Sequence, residues 1–140
     1  MGREIKFRGK SLRNGEWLYG DLMHDNIGGS YVYPIDAEGL YKKNKVSPDT
    51  VGQYTGLKDK NGVEIYEGDI IMSSASDGEP IYHEVFYNEE EASFYASLNG
   101  RRNAPFGVCG IRRLWIHEFN KEVVGNIHDN PGLIIKEEKQ

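Results

Sequence analysis

Apolar side chains recur at every second position along most of the chain, the alternation of strands that set one face in a core and the other in water. Ile5 and Phe7 alternate with Glu4, Lys6 and Arg8, and Asn14-Gly15 supplies a turn before Trp17-Leu18-Tyr19, so the first predicted element is a hairpin. Gly28-Gly29 precedes Tyr31-Val32-Tyr33, and Pro34 ends that strand because it has no N–H to give a ladder. A turn is expected over residues 36–39 and a short strand over residues 51–55, introduced by Ser47-Pro48-Asp49. The clearest turn is Asn61-Gly62, flanked by Leu57 and Val63, because both residues tolerate the positive φ of a tight hairpin. Glu67-Gly68-Asp69 reads as a further turn, with Asp69 bonded to nearby backbone. Ile70-Ile71-Met72 is too continuously apolar for an exposed edge and is predicted to be central.

Residues 73–80 are small and polar, the composition of a mobile loop. Residues 81–88 and 92–98 read as strands around a solvated tip, Glu89-Glu90-Glu91. Gly100, Pro105, Gly107 and Gly110 break residues 99–110 into a long loop with room for function. Leu114 and Ile116, with Glu118, share one face of a predicted strand and Trp115 and His117 the other, with a helical turn as the alternative. Residues 121–127 form the last strand, ending at Asp129-Asn130-Pro131-Gly132, and residues 137–140 are a frayed tail. Val51-Gly52-Gln53-Tyr54 echoes Val124-Gly125-Asn126-Ile127, and the two segments are expected to be neighbours in one sheet, each glycine permitting a bulge or a close backbone approach. The fold class is therefore mainly β, built of short antiparallel strands.

Composition adjusts this picture in three ways. At 140 residues there is room for one domain or two small β units, and 38% apolar content with nine tyrosines and two tryptophans suffices for a modest core. A formal charge of −5 argues against a nonspecific polyanion binder, while leaving local basic patches open. A single cysteine, Cys109, forms no internal disulfide, and the charged N-terminus has no apolar h-region, so a reducing compartment, the cytoplasm, is expected. No apolar run approaches the roughly 20 residues that cross a bilayer.

Catalytic chemistry is hard to find. His24, His83, His117 and His128 are scattered, without zinc-motif spacing, and no nucleophile elbow, phosphate loop or dinucleotide fingerprint occurs. His128-Asp129 could pair an imidazole with a carboxylate, but adjacent extended residues point apart. Cys109 has Arg112 and Arg113 nearby, which would favour a thiolate, although an inert packed thiol is the plainer reading. Asp59, Asn61 and Glu64 lack the full calcium-loop spacing, and hairpin chemistry explains them. No catalytic residue, cofactor or metal is assigned. For binding, Arg101, Arg102, Arg112 and Arg113 lie close in sequence to Phe106 and Trp115, and guanidinium groups beside aromatic rings suit phosphates and bases. Lys42, Lys43 and Lys45 form a second basic cluster, read as a solvated strand end.

Three segments carry a resemblance: Arg3-Glu4-Ile5-Lys6-Phe7-Arg8, the long stretch Val-Gly-Gln-Tyr-Thr-Gly-Leu-Lys-Asp-Lys-Asn-Gly-Val-Glu-Ile-Tyr-Glu-Gly-Asp-Ile-Ile over residues 51–71, and residues 122–131. Together they resemble the YopX family of phage-borne proteins. The resemblance implies a phage or prophage product with an N-terminal β segment over residues 1–56, an SH3-like barrel over residues 57–132 and a tail over residues 133–140, the whole able to form one integrated unit. It implies no reaction, and residues 73–113 fall outside its recognisable motifs. The expected function is a noncatalytic protein-binding or self-assembling module, since open strand edges and tyrosine-rich faces favour association. The alternatives are a nucleic-acid-binding small barrel and a small hydrolase or nuclease with His83 or His117 as base in a cleft between the N-terminal strands and the barrel.

Overall fold

The computed structural model describes residues 2–33, 44–102, 109–111 and 121–134. The turn expected at 36–39, the strand around Trp115 and the tail at 137–140 lie outside them. Within them the chain is mainly β, with eleven antiparallel strands and two single-turn 3-10 helices. It divides into two units, Met1–Gly56 and Leu57–Gln140.

In the first unit, β1 (Phe7–Lys10) and β2 (Trp17–His24) form the predicted hairpin, with Lys10 opposite Trp17 and Phe7 opposite Gly20. Ser11 N–H closes it on Glu16 C=O at 2.8 Å, and Gly15 takes the positive φ of +73° that the turn needs. The next turn is organised by Asp25, whose Oδ1 accepts from the amides of Ile27 (3.1 Å) and Gly29 (2.6 Å) and so delivers β3 (Ser30–Tyr33) back onto β2. β4 (Asn44–Val46) pairs with β3. Pro48, with its fixed φ and missing donor, then opens a 3-10 turn over Pro48–Thr50. Thr50 Oγ1 donates to Ser47 C=O (2.7 Å) and accepts from Lys10 N–H (2.9 Å), tying that turn to β1. β5 (Gly52–Lys58) begins antiparallel to β1, with Gly52 opposite Arg8.

The strand order in this unit is β4-β3-β2-β1-β5. β4 is also bonded along its second edge, to the end of β1: Ser11 bridges Val46, Leu12 N–H donates to Lys45 C=O (3.1 Å), and Ser47 N–H donates to Lys10 C=O (2.9 Å). The strands thereby curl round Val32 and Val46, both fully buried. Gly9 permits the crossing, because a Cβ there would stand 2.9 Å from Val46 Cγ2.

In the second unit, the end of β5 turns into β6 (Glu64–Tyr66) through Lys60-Asn61-Gly62. Asp59 N–H closes the loop on Val63 C=O at 2.8 Å, and of the Asn-Gly pair only Gly62 takes a positive φ, +80°. The turn is thus a three-residue loop with its left-handed position last. Asp69 Oδ2 accepts from Tyr66 N–H (2.7 Å), the local bond expected of it.

β7 (Asp69–Ser74), β8 (Pro80–Asn88), β9 (Ser93–Ala96), β10 (Cys109–Gly110) and β11 (Glu122–Asn126) pair in the order β10-β9-β8-β7-β11. β7 is interior to its sheet, as predicted, and Ile70 and Ile71 point to opposite faces yet are both fully buried. Ile65, Ile71, Val85 and Ile111 form the core, with Leu57, Phe94 and Val123 against them. The order is linear, with no pairing among the described residues that closes it into a ring.

Two expectations change. Residues 73–80 are not a mobile loop: Ser73 and Ser74 belong to β7, and Ala75–Glu79 is a tight turn closed at 2.8 Å, with Gly78 at φ +86° and Asp77 Oδ1 accepting from Glu79 N–H. Small polar residues served turn chemistry here, and Pro80 sits at a strand start, where the missing donor costs least. The Val-Gly segments at 51–54 and 124–127 belong to different sheets. Their likeness is local: Gly125 adjoins a register shift in β11, and a Cβ on it would come 2.4 Å from Asn130 Oδ1.

Among the described residues, no helix is long and apolar enough to cross a membrane.

Candidate functional site

Cross-strand register assembles one chemically distinct surface, the face of the N-terminal sheet opposite Val32 and Val46. Residues directly opposite each other share a face, so the pairs Arg8 with Tyr19, Lys10 with Trp17, Asp21 with Tyr33, Met23 with Tyr31 and Tyr31 with Lys45 lie on one side. Lys6 and Tyr54 extend the same ladder onto β5, where Tyr54 N–H donates to Lys6 C=O (2.9 Å). Cations and rings are interleaved. The Arg8 guanidinium lies 4.6 Å from the Trp17 ring centroid, Lys10 Nζ lies 5.6 Å from it, and Lys6 Nζ lies 5.3 Å from that of Tyr54.

Arg8 and Tyr54 are buried, Trp17, Tyr31 and Tyr33 are half-buried, and Tyr19, Asp21, Met23 and Lys45 are exposed. Asp25 finishes the strand's edge. The amides of Gly29 and Ile27 and the Tyr31 hydroxyl (2.9 Å) all stabilise its carboxylate and hold it below the usual carboxylate range. Residues 1–56 carry eight basic and seven acidic side chains, and residues 57–140 nine and fifteen. The net negative charge of the chain therefore belongs to its second part.

Sequence reading saw the tyrosines and Lys45 but not their convergence. The usable signal was the phase of the alternation: Arg8 and Lys10 fall on one parity of β1, continued by Lys6 just before it, and Trp17, Tyr19 and Met23 on one parity of β2.

The second unit holds a polar cluster inside its sheet. His83 Nδ1 lies 2.7 Å from Ser97 C=O and Nε2 lies 2.7 Å from Ser73 Oγ. A carbonyl only accepts, so Nδ1 carries the proton and Nε2 accepts from the serine hydroxyl. A hydroxyl on an imidazole suits nucleophilic catalysis, but Ser73 is 4% and His83 5% exposed, which shuts the pair off from any substrate in this conformation. Burial lowers the His83 pKa from its ordinary value of 6.5 and keeps the ring neutral.

This burial has a pH signature. The unfolded chain takes up a proton on His83 as pH falls below about 6.5 while the folded chain does not, so stability is greatest above that pH and declines below it. Wild type is expected to lose stability between pH 7 and pH 5.5, and His83→Gln is expected to lessen that loss. Urea denaturation at both pH values reads the difference, and equal slopes in the two proteins would contradict the buried neutral ring.

Glu84, next along β8, is also buried and is gripped through both carboxylate oxygens by Arg102, Nε donating to Oε1 at 3.1 Å and the terminal nitrogen to Oε2. The same guanidinium stands 4.9 Å from the Phe86 ring centroid. Of the arginine-aromatic cluster expected from sequence, Arg102 is thus engaged within its own sheet and Arg101 is exposed, its backbone bridged to Leu98. Phe106, Arg112, Arg113 and Trp115 lie outside the described residues, as does His117.

Asp59 spends its carboxylate on the amides of Asn61, Val63 and Val123, which accounts for its place in the sequence without calcium. Asp129 accepts from Asn126 Nδ2 at 3.1 Å. Among the described residues, no three His, Cys, Asp or Glu side chains are grouped as metal ligands would be.

Comparison with known proteins gives a family and similar solved structures. The sequence matches the family described as YopX protein over residues 6–135. No curated protein matches it. A crystal structure of protein EF1440 from Enterococcus faecalis is similar, with a TM-score of 0.58 and 27% identity, covering 96% of this chain and all of that one.

Proposed function

The chain belongs to the YopX protein family, and on that premise we propose that it is a noncatalytic binding module of a phage or prophage, acting in the cytoplasm of a bacterial host. Its docking surface is the outer face of the N-terminal sheet. The observation that carries this reading is the row of Trp17, Tyr19, Tyr31 and Tyr33 standing with Lys10 and Lys45 on one face of paired strands. Aromatic and cationic side chains on rigid elements are what binding surfaces use, because little conformational entropy is lost when a partner arrives. The absence of a catalytic role is supported by the state of the reactive groups described above: the Ser73 hydroxyl and His83 imidazole are buried against each other, and Glu84 is neutralised by Arg102.

An SH3-like barrel fits the N-terminal unit better than residues 57–132. A four-strand meander, a 3-10 turn and a fifth strand returning to the first, with β4 bonded on both edges, support that placement.

The test is site-specific crosslinking in host cells carrying the phage. With a photoreactive phenylalanine analogue at position 19, covalent adducts are expected; at position 63, which is exposed on the second unit, they are not. No adduct at position 19, or equal yields at the two sites, would overturn the assignment of the face.

A further inference from the structure

The identity of the occupant can be argued further, on the reading that this face is the docking surface. We infer that it binds single-stranded nucleic acid, with bases stacked on Tyr19 and Tyr33, beside Trp17, and phosphates on Lys10 and Lys45. Successive outward positions on a strand are about 6.8 Å apart, so Trp17 and Tyr19 offer separate platforms, and Tyr31 and Tyr33 offer two more on the adjacent strand. Every base has a π-face, so such a surface needs no particular sequence, but it does need bases that are not hidden inside a duplex. The Arg8 guanidinium, buried 4.6 Å from the Trp17 ring centroid, adds positive charge beneath the surface without itself being offered to a ligand.

Charge is compatible with this occupant. The overall −5 disfavours a polyanion, yet residues 1–56 hold one more basic than acidic side chain, and the deficit lies in residues 57–140. On the face itself, Glu4 is spent on Lys6 at 2.8 Å, and Asp25 on Tyr31 and two backbone amides. Among the described residues of the face, Asp21, exposed beside Tyr33, opposes a phosphate. The result is a weakly cationic platform whose binding is modest and strongly dependent on salt.

The probe is fluorescence anisotropy with labelled oligothymidine and oligouridine of about 12 nucleotides, and with a duplex of the same length, from about 20 to 200 mM salt. Both single strands are expected to bind, and the duplex at least about tenfold more weakly. Tyr19→Ala is expected to weaken binding about tenfold while Tyr19→Phe does not, because the ring and not the hydroxyl carries the stack. Lys10→Gln with Lys45→Gln is expected to flatten the slope of log K against log salt by about 1.4, two phosphate contacts on a single strand. Tyr87→Ala, an exposed aromatic of the second unit, serves as the control that binds normally, and thermal melts confirm that each variant is folded.

No binding of either single strand at low salt, tighter binding of the duplex, or full affinity in folded Tyr19→Ala would each overturn the inference. Crosslinks from position 19 to protein alone would also overturn it while leaving the docking face in place, whereas no crosslinks at all would remove the face.

Discussion

Asp59→Ala is expected to destabilise the C-terminal unit by about 3 kcal/mol, the largest loss from any single polar side chain described here. The carboxylate is 7% exposed and its three hydrogen bonds join elements far apart in sequence. Oδ1 accepts from the amides of Asn61 (2.8 Å) and Val63 (2.9 Å) within the hairpin, and Oδ2 accepts from Val123 N–H (2.9 Å) in β11. Truncation leaves three donors without their acceptor. The two turn amides lie on exposed residues and can find water, while the Val123 amide is half-buried and bears more of the cost. Asp59→Asn separates the contributions: its oxygen can still serve the turn, but its NH2 then faces the Val123 donor, so about 2 kcal/mol of the loss should remain. Urea denaturation monitored by tryptophan fluorescence and far-ultraviolet dichroism measures both. A loss under about 1 kcal/mol for the alanine variant would mean that β11 is held to the hairpin by other contacts, such as Lys60 N–H on Lys121 C=O.

Removing the guanidinium that covers Glu84 comes second. Arg102→Ala leaves a 5% exposed carboxylate without its bidentate partner, and stripping one member from a fully buried pair costs about 3–5 kcal/mol. The Arg102 side chain is 52% exposed, so water can replace part of what is lost, and about 2 kcal/mol is the expected effect. The same change also removes the cation from the face of Phe86. If the penalty comes from the stranded charge, Glu84→Leu in the Arg102→Ala background should recover most of it, because an apolar side chain at that position has nothing left to neutralise. A double-mutant cycle by chemical denaturation gives the coupling directly, and additive losses would show that the two residues stabilise the sheet independently.

Turns were the most legible part of the fold, because turn chemistry is local. Asn14-Gly15, Gly28-Gly29, Asn61-Gly62 and Glu67-Gly68 all stand at reversals, and β7 was recognisable as interior from Ile70-Ile71 alone. What stayed hidden depends on partners distant in sequence. Nothing local announces that Val46 closes onto Ser11, or that β5 lies beside β1, since each pairing joins residues more than thirty apart. The same limit concealed the candidate face. Arg101 through Trp115 looked like a site because their charges and rings are close in sequence, whereas Lys10, Trp17, Tyr33 and Lys45 are scattered and meet only through register. At residues 59–63 the turn was legible but its length was not, because Asn-Gly suits a two-residue loop as well as the end of a three-residue one.

The double bonding of β4 sets a rule for how the N-terminal sheet can vary. Because both margins of that strand are already satisfied by β3 and by the end of β1, an incoming chain gains nothing there by strand addition, and recognition is left to side chains. Outward positions such as 19, 21, 33 and 45 can then be exchanged without breaking a ladder bond. Randomised together, they would make this small sheet a display scaffold on which affinity is selected while the backbone pairing stays constant.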